Sequence, residues 1–234
     1  MKEGEILLQY FHKYKHGLLI FIYSIIYMIF FFYLENRPVK VYNVVHTVFD
    51  DVIPFCELFI VPYLLWFPYM IITVMYFIFM NKNKQEYYQL IMNLIMGMTA
   101  FLIISYFYPN VQHLRPETFV RKNVFTDMVK LLYQTDTPTN ILPSIHVFNS
   151  LVIHKSITSC ASLKNYRFIH ISSLILTILI VLSTMFLKQH SVIDVCFGMT
   201  LALFGSLLFY PAKEDLSIKK STAVSLHKTR KWQP

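Results

Sequence analysis

The sequence predicts an all-α membrane protein whose core is a bundle of six transmembrane helices. Hydrophobic residues make up 56% of the 234-residue chain and charged residues only 15%, whereas soluble domains carry about 25% charged residues. Six long, mainly apolar runs follow one another, each close to the ~20 residues that a helix needs to cross a bilayer. The runs lack the strict apolar–polar alternation of a membrane barrel, so we interpret them as helices.

The six apolar runs differ in how many ionisable groups they contain. They cover residues 18–34, 58–80, 89–112, 143–163, 168–187 and 191–210. The first three contain no charged residue, and the fifth contains a single His near its start. The fourth contains His146, His154 and Lys155, and the sixth contains Asp194. Because ionisable groups in a membrane helix are costly, they mark the fourth and sixth helices as candidate functional elements.

The chain is predicted to form one membrane-embedded domain over residues 1–211, followed by a polar, basic tail over residues 212–234. The first run is rich in Phe and Tyr and lacks a small-residue cleavage pattern, so we interpret it as a membrane helix and not as a signal peptide. The longest connection covers residues 109–142, and within it residues 125–133 are predicted to form an amphipathic helix on the membrane surface.

The distribution of Lys and Arg predicts the orientation in the membrane. With the N-terminus in the cytoplasm, fourteen of the 21 Lys and Arg residues fall on cytoplasmic segments and seven fall outside. Since cytoplasmic segments are enriched in these residues, both termini are predicted to be cytoplasmic, in the plasma membrane. The net charge of +8 is explained by basic segments facing anionic lipid, so no nucleic acid partner is expected.

Three polar clusters meet the outer membrane face under this topology. Arg115 lies in the loop before the fourth helix. The segment "LPSIHVFNS" begins the fourth helix, and "KQHSVIDV" begins the sixth. Their convergence from separate parts of the chain predicts a functional site facing outside.

The start of the fourth helix has the features of an anion site. Pro143 suits the first turn of a helix, where no N–H is needed, and the free amides of that turn attract an anion such as phosphate. Ser144 adds a hydroxyl, and His146 in the same turn offers a proton. The alternative is a capped helix with a His at the membrane interface.

His190 and Asp194 are spaced four residues apart and so share one face of a helix. Asp194 is expected to accept the proton of one imidazole nitrogen, which leaves the other nitrogen as an oriented lone pair. Such an imidazole acts as a nucleophile or a general base. Gly198 and Ala202 continue this face and allow another helix to approach closely. The alternative is a buried pair that only joins helices.

A metal site is the competing interpretation of these residues. His146, His190 and Asp194 are possible zinc ligands. However, the sequence has no HExxH-like motif, and Arg115 and Lys188 would repel a cation. The basic neighbours fit a phosphate better, so neither a metal nor another cofactor is expected.

These residues resemble the type 2 phosphatidic acid phosphatase superfamily, whose motifs are KxxxxxxRP, PSGH and SRxxxxxHxxxD. They occur here, in that order, as "YPNVQHLRP", "PSIH" and "STMFLKQHSVID". The resemblance implies that His190 is a nucleophile forming a phosphohistidine, that Asp194 orients it, and that His146 protonates the leaving oxygen. It also implies that Arg115 and Ser144 bind phosphate and that no metal is used.

The motifs depart from the family pattern at Tyr108, Ile145 and Thr184, where the family has Lys, Gly and Arg. Lys188 is a candidate substitute for the missing cations. The departures make the chain similar to the branch of inositol phosphorylceramide and sphingomyelin synthases, which transfer the headgroup to an alcohol.

We therefore expect a lipid phosphatase acting on a lipid phosphate or pyrophosphate at the outer leaflet, with membrane lipids as its surroundings. The alternatives are a lipid headgroup phosphotransferase, a proton-coupled transporter using His190 and Asp194, and an inactive lipid-binding relative. The lipid and the oligomeric state are not predicted by the sequence.

Overall fold

The computed structural model describes residues 12–211, and the predicted tail over residues 212–234 lies outside them. The described chain is mostly helical. Its helices are α1 (Leu18–Asn36), α2 (Val48–Val52), α3 (Ile60–Phe79), α4 (Lys84–Phe107), α5 (Val124–Thr135), α6 (Ile145–Ser159), α7 (Arg167–Phe186) and α8 (Val192–Phe209). The all-α prediction is thereby confirmed at the level of fold class.

Among the described residues, five helical segments are long and apolar enough to cross a membrane: His12–Asn36, Glu57–Phe79, Lys84–Phe107, Arg167–Phe186 and Val192–Phe209. They correspond to the first, second, third, fifth and sixth predicted spans. By length and composition, the chain is thus a multi-pass membrane protein.

The predicted fourth span, residues 143–163, is shorter than expected. Its helix, α6, has 15 residues, which corresponds to about 22 Å at 1.5 Å per residue. The residues that lead into α6 form a non-helical connection, and α6 ends at Ser159, with Cys160 as its C-cap. The apolar run was therefore longer than the helix within it, and the structure supports five spans by length where we predicted six.

The bundle has one end at which the segments predicted to lie outside meet. The side-chain amide of Gln112 donates a hydrogen bond to the carbonyl oxygen of Lys188 at 2.9 Å. The backbone amide of Ser144 donates to the carbonyl oxygen of Asp194 at 3.1 Å. These bonds join the three segments that carry the predicted motifs, so the predicted convergence at one end of the bundle is confirmed. We call this the site end.

The opposite end of the bundle gathers the first and last described helices. The hydroxyl of Tyr87 donates to the carbonyl oxygen of His16 at 2.9 Å. The side-chain amide of Gln89 donates to the carbonyl oxygen of Phe209 at 2.9 Å. The described chain thus begins and ends at the same end, which we call the far end.

Helix α6 is the central helix of the bundle and packs against α3, α4, α7 and α8. Most of its side chains are buried, including the large ring of Phe148, while Thr158 and Ser159 at its end are exposed. A Cβ atom at Gly97 of α4 would lie 2.0 Å from that ring, so only glycine lets the two helices approach this closely. Contact with four neighbouring helices explains why α6 lacks a single apolar stripe.

Helices α6 and α8 approach each other through small residues. A Cβ atom at Gly198 would lie 2.7 Å from the carbonyl oxygen of Ser144 and 3.2 Å from Cβ of Val147. Ala202, one turn further on, is buried. The prediction that Gly198 and Ala202 allow a close helix contact is confirmed.

Two features lie in the connections at the site end. The predicted surface helix is present as α5, whose first turn is capped by the side chain of Asn123. A short parallel ladder, which we did not predict, joins β1 (Asn43–Val44) to β2 (Asn110–Val111). Strands of two residues have no periodicity to detect, and their partner is distant in sequence.

Candidate active site

The centre of the candidate site is the pair His190 and Asp194. Nδ1 of His190 lies 2.6 Å from Oδ2 of Asp194, and both side chains are buried, Asp194 completely. A carboxylate accepts hydrogen bonds, so this contact favours the neutral tautomer in which Nδ1 carries the proton and Nε2 holds the lone pair. The predicted contact across one helical turn is confirmed. Oδ1 of Asp194 is buried without a hydrogen-bond partner in the described chain.

A tight turn after α7 brings His190 into position. Lys188 adopts the left-handed conformation with φ of 53°, which reverses the chain at the helix end. The amides of Gln189 and His190 then both donate to the carbonyl oxygen of Thr184, each at 3.0 Å. Ser191 caps α8 through its hydroxyl, which accepts from the amide of Ile193. The imidazole is thus held between two helix ends.

The start of α6 brings His146 to the same place. Ser144 is the N-cap, and its hydroxyl oxygen accepts from the amide of Val147. Pro143 precedes this cap, so it lies outside the first turn in which we had placed it. The backbone bond from Ser144 to Asp194 fixes the start of α6 against α8.

Aromatic rings surround the imidazole of His146. The ring centroids of Tyr63 and Trp66, both on α3, lie 4.6 Å and 4.5 Å from its own. The ring of His190 lies 5.6 Å away, in an edge-on arrangement. Nδ1 of His146 is buried without a hydrogen-bond partner in the described chain. The two imidazole rings are therefore neighbours in one buried cluster of side chains, which we call the site pocket.

Arg115 lies beside this pair, half-buried and tied into the protein. Its guanidinium donates to the carbonyl oxygens of Tyr133 and Asp136 and to Oε1 of Gln189. It also stacks over the ring of Tyr133, with 4.5 Å between the guanidinium carbon and the ring centroid. Burial lowers the pKa of Arg115, and the nearby Asp136 opposes that shift. Arginine stays charged at neutral pH, so the site contains a fixed positive charge next to His190.

Sequence reasoning missed a hydrogen-bond network that connects Arg115 to the histidines. Gln189 accepts from Arg115 and donates to Oδ2 of Asp136 at 3.1 Å. The hydroxyl of Tyr63 donates to the same carboxylate oxygen at 2.9 Å, and its ring contacts His146. The position of Gln189, directly before His190, was the one available signal. Tyr63 gave none because it is distant in sequence from the motifs, and Asp136 gave none because it belongs to no motif, although it lies only seven residues before Pro143.

The side chain of Lys188 bonds to helix α2 and the residue that follows it. Its ammonium group donates to the carbonyl oxygens of Asp50 and Ile53, at 2.6 Å and 2.5 Å. Burial lowers its pKa, with Asp50 and Asp51 opposing the shift. Two of its three N–H donors are used in these bonds, and its role as a phosphate ligand stays a prediction.

Two positions that depart from the family motifs contribute no charge to this pocket. Tyr108 is exposed at the end of α4. Thr184 is fully buried and donates its hydroxyl to the carbonyl oxygen of Val181. The positive charge beside the histidines therefore comes from Arg115.

This arrangement has defined chemical capabilities. An imidazole with one nitrogen bonded to a carboxylate presents the other as a nucleophile or base. A second imidazole at 5.6 Å is within reach of a proton on a group bound to the first. Among residues 12–211, no group of three or more His, Cys, Asp and Glu side chains is arranged to hold a metal ion.

Comparisons with protein-family models, with curated proteins and with solved structures found no match to this chain.

Proposed function

We propose that the protein is an integral-membrane lipid phosphatase that hydrolyses a lipid phosphate or pyrophosphate through a phosphohistidine at His190. The observation that carries this proposal is the buried contact between His190 and Asp194, with His146 opposite and Arg115 alongside. A nucleophile, an acid and a fixed cation in one pocket are what transfer of an anionic phosphoryl group requires.

In the first step, Nε2 of His190 attacks phosphorus in line with the leaving oxygen. The P–O bond to the lipid breaks, and His146 donates the proton that the lipid alcohol or phosphate takes away. Asp194 stabilises the positive charge that develops on His190 by accepting the Nδ1 proton in a hydrogen bond. The products are the dephosphorylated lipid and a phosphohistidine.

In the second step, water replaces the lipid as the reacting group. His146, now neutral, removes a proton from water as the oxygen attacks phosphorus. The N–P bond to His190 breaks, and its electron pair returns to Nε2. Inorganic phosphate leaves, and the proton taken from water returns His146 to its starting protonated state while His190 is neutral again.

Arg115 and the start of α6 are proposed to hold the phosphoryl oxygens. Hydrogen bonds to Gln189 and two backbone carbonyls fix the guanidinium, which reduces the reorganisation needed when negative charge builds up. Ser144 and the free amides of the first turn of α6 supply further donors. Lys188 is proposed to add long-range positive charge.

The proposed orientation places the site end outside the cell and both termini in the cytoplasm of a plasma-membrane protein. This orientation follows the sequence-based assignment of fourteen of the 21 Lys and Arg residues to cytoplasmic segments, seven of them in residues 1–11 and 212–234. Helix α6 would be the sixth crossing, because it begins beside Asp194 and its Ser156 hydroxyl lies 2.7 Å from that of Tyr210. It runs alongside α8 and is shielded from lipid by its neighbours.

The test is phosphate release by the purified protein in lipid vesicles. Phosphatidic acid, phosphatidylglycerol phosphate and a polyprenyl pyrophosphate are offered separately, in the presence of a metal chelator. We expect release from one of these lipids, and its loss in His190→Ala. The matched control is His154→Ala, because His154 bonds to Ser173 outside this pocket. Equal activity of His190→Ala and the unmodified protein would contradict the proposal.

The same assay separates hydrolysis from headgroup transfer. Alcohols such as diacylglycerol, ceramide and inositol are added, and lipid products are analysed by mass spectrometry. Free phosphate as the main product supports the phosphatase. A new phosphodiester lipid formed at the expense of free phosphate would identify a phosphotransferase that uses the same first step.

A further inference from the structure

Helix α2 exposes an apolar face that the proposed chemistry does not use. Val48, Phe49 and Val52 are 72%, 65% and 79% exposed. Positions 48, 49 and 52 lie on one side of a helix. Asp50 lies on the other side and is buried. The apolar face and the buried Asp50 therefore lie on opposite sides of α2, and the exposed Asp51, paired with His46, lies at the edge between them.

Polar bonds hold α2 against the start of α8. The carboxylate of Asp50 accepts from the hydroxyl of Ser191 at 2.6 Å and from the amide of Val192 at 2.8 Å. Lys188 donates to the carbonyl oxygens of Asp50 and Ile53. Residues on both sides of His190, namely Lys188 and Ser191, are thus bonded to α2 or to Ile53 directly after it. Helix α2 therefore lies immediately beside the candidate site.

The position of these bonds places α2 at the level of the membrane surface. Val192 is the first residue of α8, one of the five candidate membrane spans. The next candidate span along the chain begins at Glu57, and its first turn exposes the apolar Leu58. The apolar face of α2 therefore lies where lipid-facing helices enter the bilayer, and acyl chains are the apolar material available there.

We infer that the apolar face of α2, formed by Val48, Phe49 and Val52, is inserted into the lipid at the site end. The acyl chains of the substrate lie against this face while its phosphate reaches His190. The insertion itself follows from the exposure of these three side chains and from the position of α2 where two candidate spans begin. The substrate part rests on the proposed function. In this arrangement, the enzyme takes long-chain lipids directly from the leaflet that surrounds it.

Photocrosslinking tests the insertion independently of any activity. The full-length protein, with the photoreactive residue p-benzoylphenylalanine at position 49, is illuminated in phosphatidylcholine vesicles. We expect lipid adducts, detected by mass spectrometry of the modified peptide. The control carries the probe at position 122, because Lys122 is an exposed, charged residue in the connection before α5. Absence of lipid adducts at position 49, or a crosslink to a second copy of the chain, would overturn the inference.

A comparison of two substrates tests the role of the apolar face of α2 in catalysis. Phe49→Ser is assayed with long-chain phosphatidic acid in vesicles and with the water-soluble p-nitrophenyl phosphate. We expect kcat/KM for the long-chain lipid to fall about tenfold or more, since loss of an apolar contact of the size of a Phe ring weakens binding by about that factor. We expect no change for the soluble ester.

Phe168→Ser is the matched control for this comparison, because it removes an exposed Phe at the start of α7, at the far end of the bundle. It should leave both activities unchanged. An equal loss of both activities in Phe49→Ser, or no loss of either, would overturn the substrate part of the inference. If the unmodified protein hydrolyses neither compound, the proposed function fails, and crosslinking alone decides on insertion.

Discussion

At the scale of single residues, the candidate site depends on how its charged groups are held. The guanidinium of Arg115 is fixed by Gln189, which is itself fixed by Asp136. Gln189 also directly precedes His190 in the chain. A single buried amide thus sets the distance between the cation and the nucleophile.

Replacing Gln189 by Met tests this link, because Met has a similar length but neither accepts from Arg115 nor donates to Asp136. A hydrogen bond to a charged group contributes about 1.5–3 kcal/mol. We therefore expect kcat/KM for the lipid phosphate to fall by a factor of about 10–100, mainly through a higher KM. Steady-state kinetics in vesicles measures both constants.

Gln85→Met provides the control for this measurement, since Gln85 is exposed at the far end of the bundle. Its kinetic constants should equal those of the unmodified protein. Unchanged kinetics in Gln189→Met would show that Arg115 does not depend on Gln189 for its position.

The sequence predicted those site residues whose contacts are local. His190 and Asp194 are four residues apart on a helix, so their spacing alone determined the contact. Ser144 was likewise predicted at the start of the fourth helix, although as part of its first turn and not as the N-cap that it is. Lys188 was different, because its bonds reach Asp50 and Ile53, more than 130 residues away along the chain. Gln189, Asp136 and Tyr63 were missed for the same reason.

At the scale of helices, the contact between α6 and α8 aligns the two histidines. Gly198 has no room for a Cβ atom, because the nearest atom would be the carbonyl oxygen of Ser144, at 2.7 Å. That carbonyl belongs to the backbone and cannot rotate away as a side chain would. A larger residue at position 198 must push the start of α6 away from α8.

We predict that Gly198→Ala lowers the stability of the protein by about 1–3 kcal/mol, the usual effect of overpacking, and that it lowers activity as well. Gly17→Ala is the matched change, because its nearest neighbour is the flexible side chain of Ile78 at 3.2 Å. It should be nearly neutral. Thermal unfolding in detergent, followed by circular dichroism, compares the two. A Gly198→Ala protein as stable and active as the unmodified one would refute this packing.

The adjacent carboxylates of Asp50 and Asp51 offer a second matched pair. Asp50 is buried and accepts from Thr47, Ser191 and Val192, whereas Asp51 pairs with the exposed His46. Removing a buried acceptor leaves its donors unsatisfied and costs about 1–3 kcal/mol.

We therefore predict a clear loss of stability in Asp50→Ala. The change in Asp51→Ala should stay within about 0.5 kcal/mol, as for most surface substitutions. Denaturant titrations in detergent give both free energies of unfolding. Equal effects of the two substitutions would show that Asp50 does not hold α2 against α8.

The accuracy of the predicted helices followed the strength of the hydrophobic signal. Five long apolar runs became helices that could span a membrane. The run at residues 143–163 was interpreted as a sixth span of ordinary length, but it contains a helix of 15 residues. An apolar sequence is expected both for a helix surrounded by lipid and for a helix surrounded by protein. Hydropathy therefore did not reveal that α6 is enclosed by other helices. The β1–β2 pair was too short to predict.

At the scale of the whole molecule, the orientation in the membrane is open to a direct test. The proposal places Lys122 in the outer loop at the site end and Lys164 in the cytoplasmic turn before α7. Single cysteines at these positions, in a background whose three native cysteines are replaced, are treated on intact cells with a membrane-impermeant maleimide. We expect labelling of Lys122→Cys directly and of Lys164→Cys only after permeabilisation. The reverse pattern would place the site end in the cytoplasm.

The central claim is that His190, oriented by Asp194, forms a covalent bond to phosphorus. The most direct measurement is to mix the protein with radiolabelled phosphatidic acid, stop the reaction with alkaline denaturant, and locate the label in the peptides. Phosphohistidine survives alkali, so the label should be found on His190. It should be absent in His190→Ala, and Asp194→Asn should acquire it about 100-fold or more slowly. Phosphate release without label on His190, or equal labelling of His190→Ala, would contradict the mechanism.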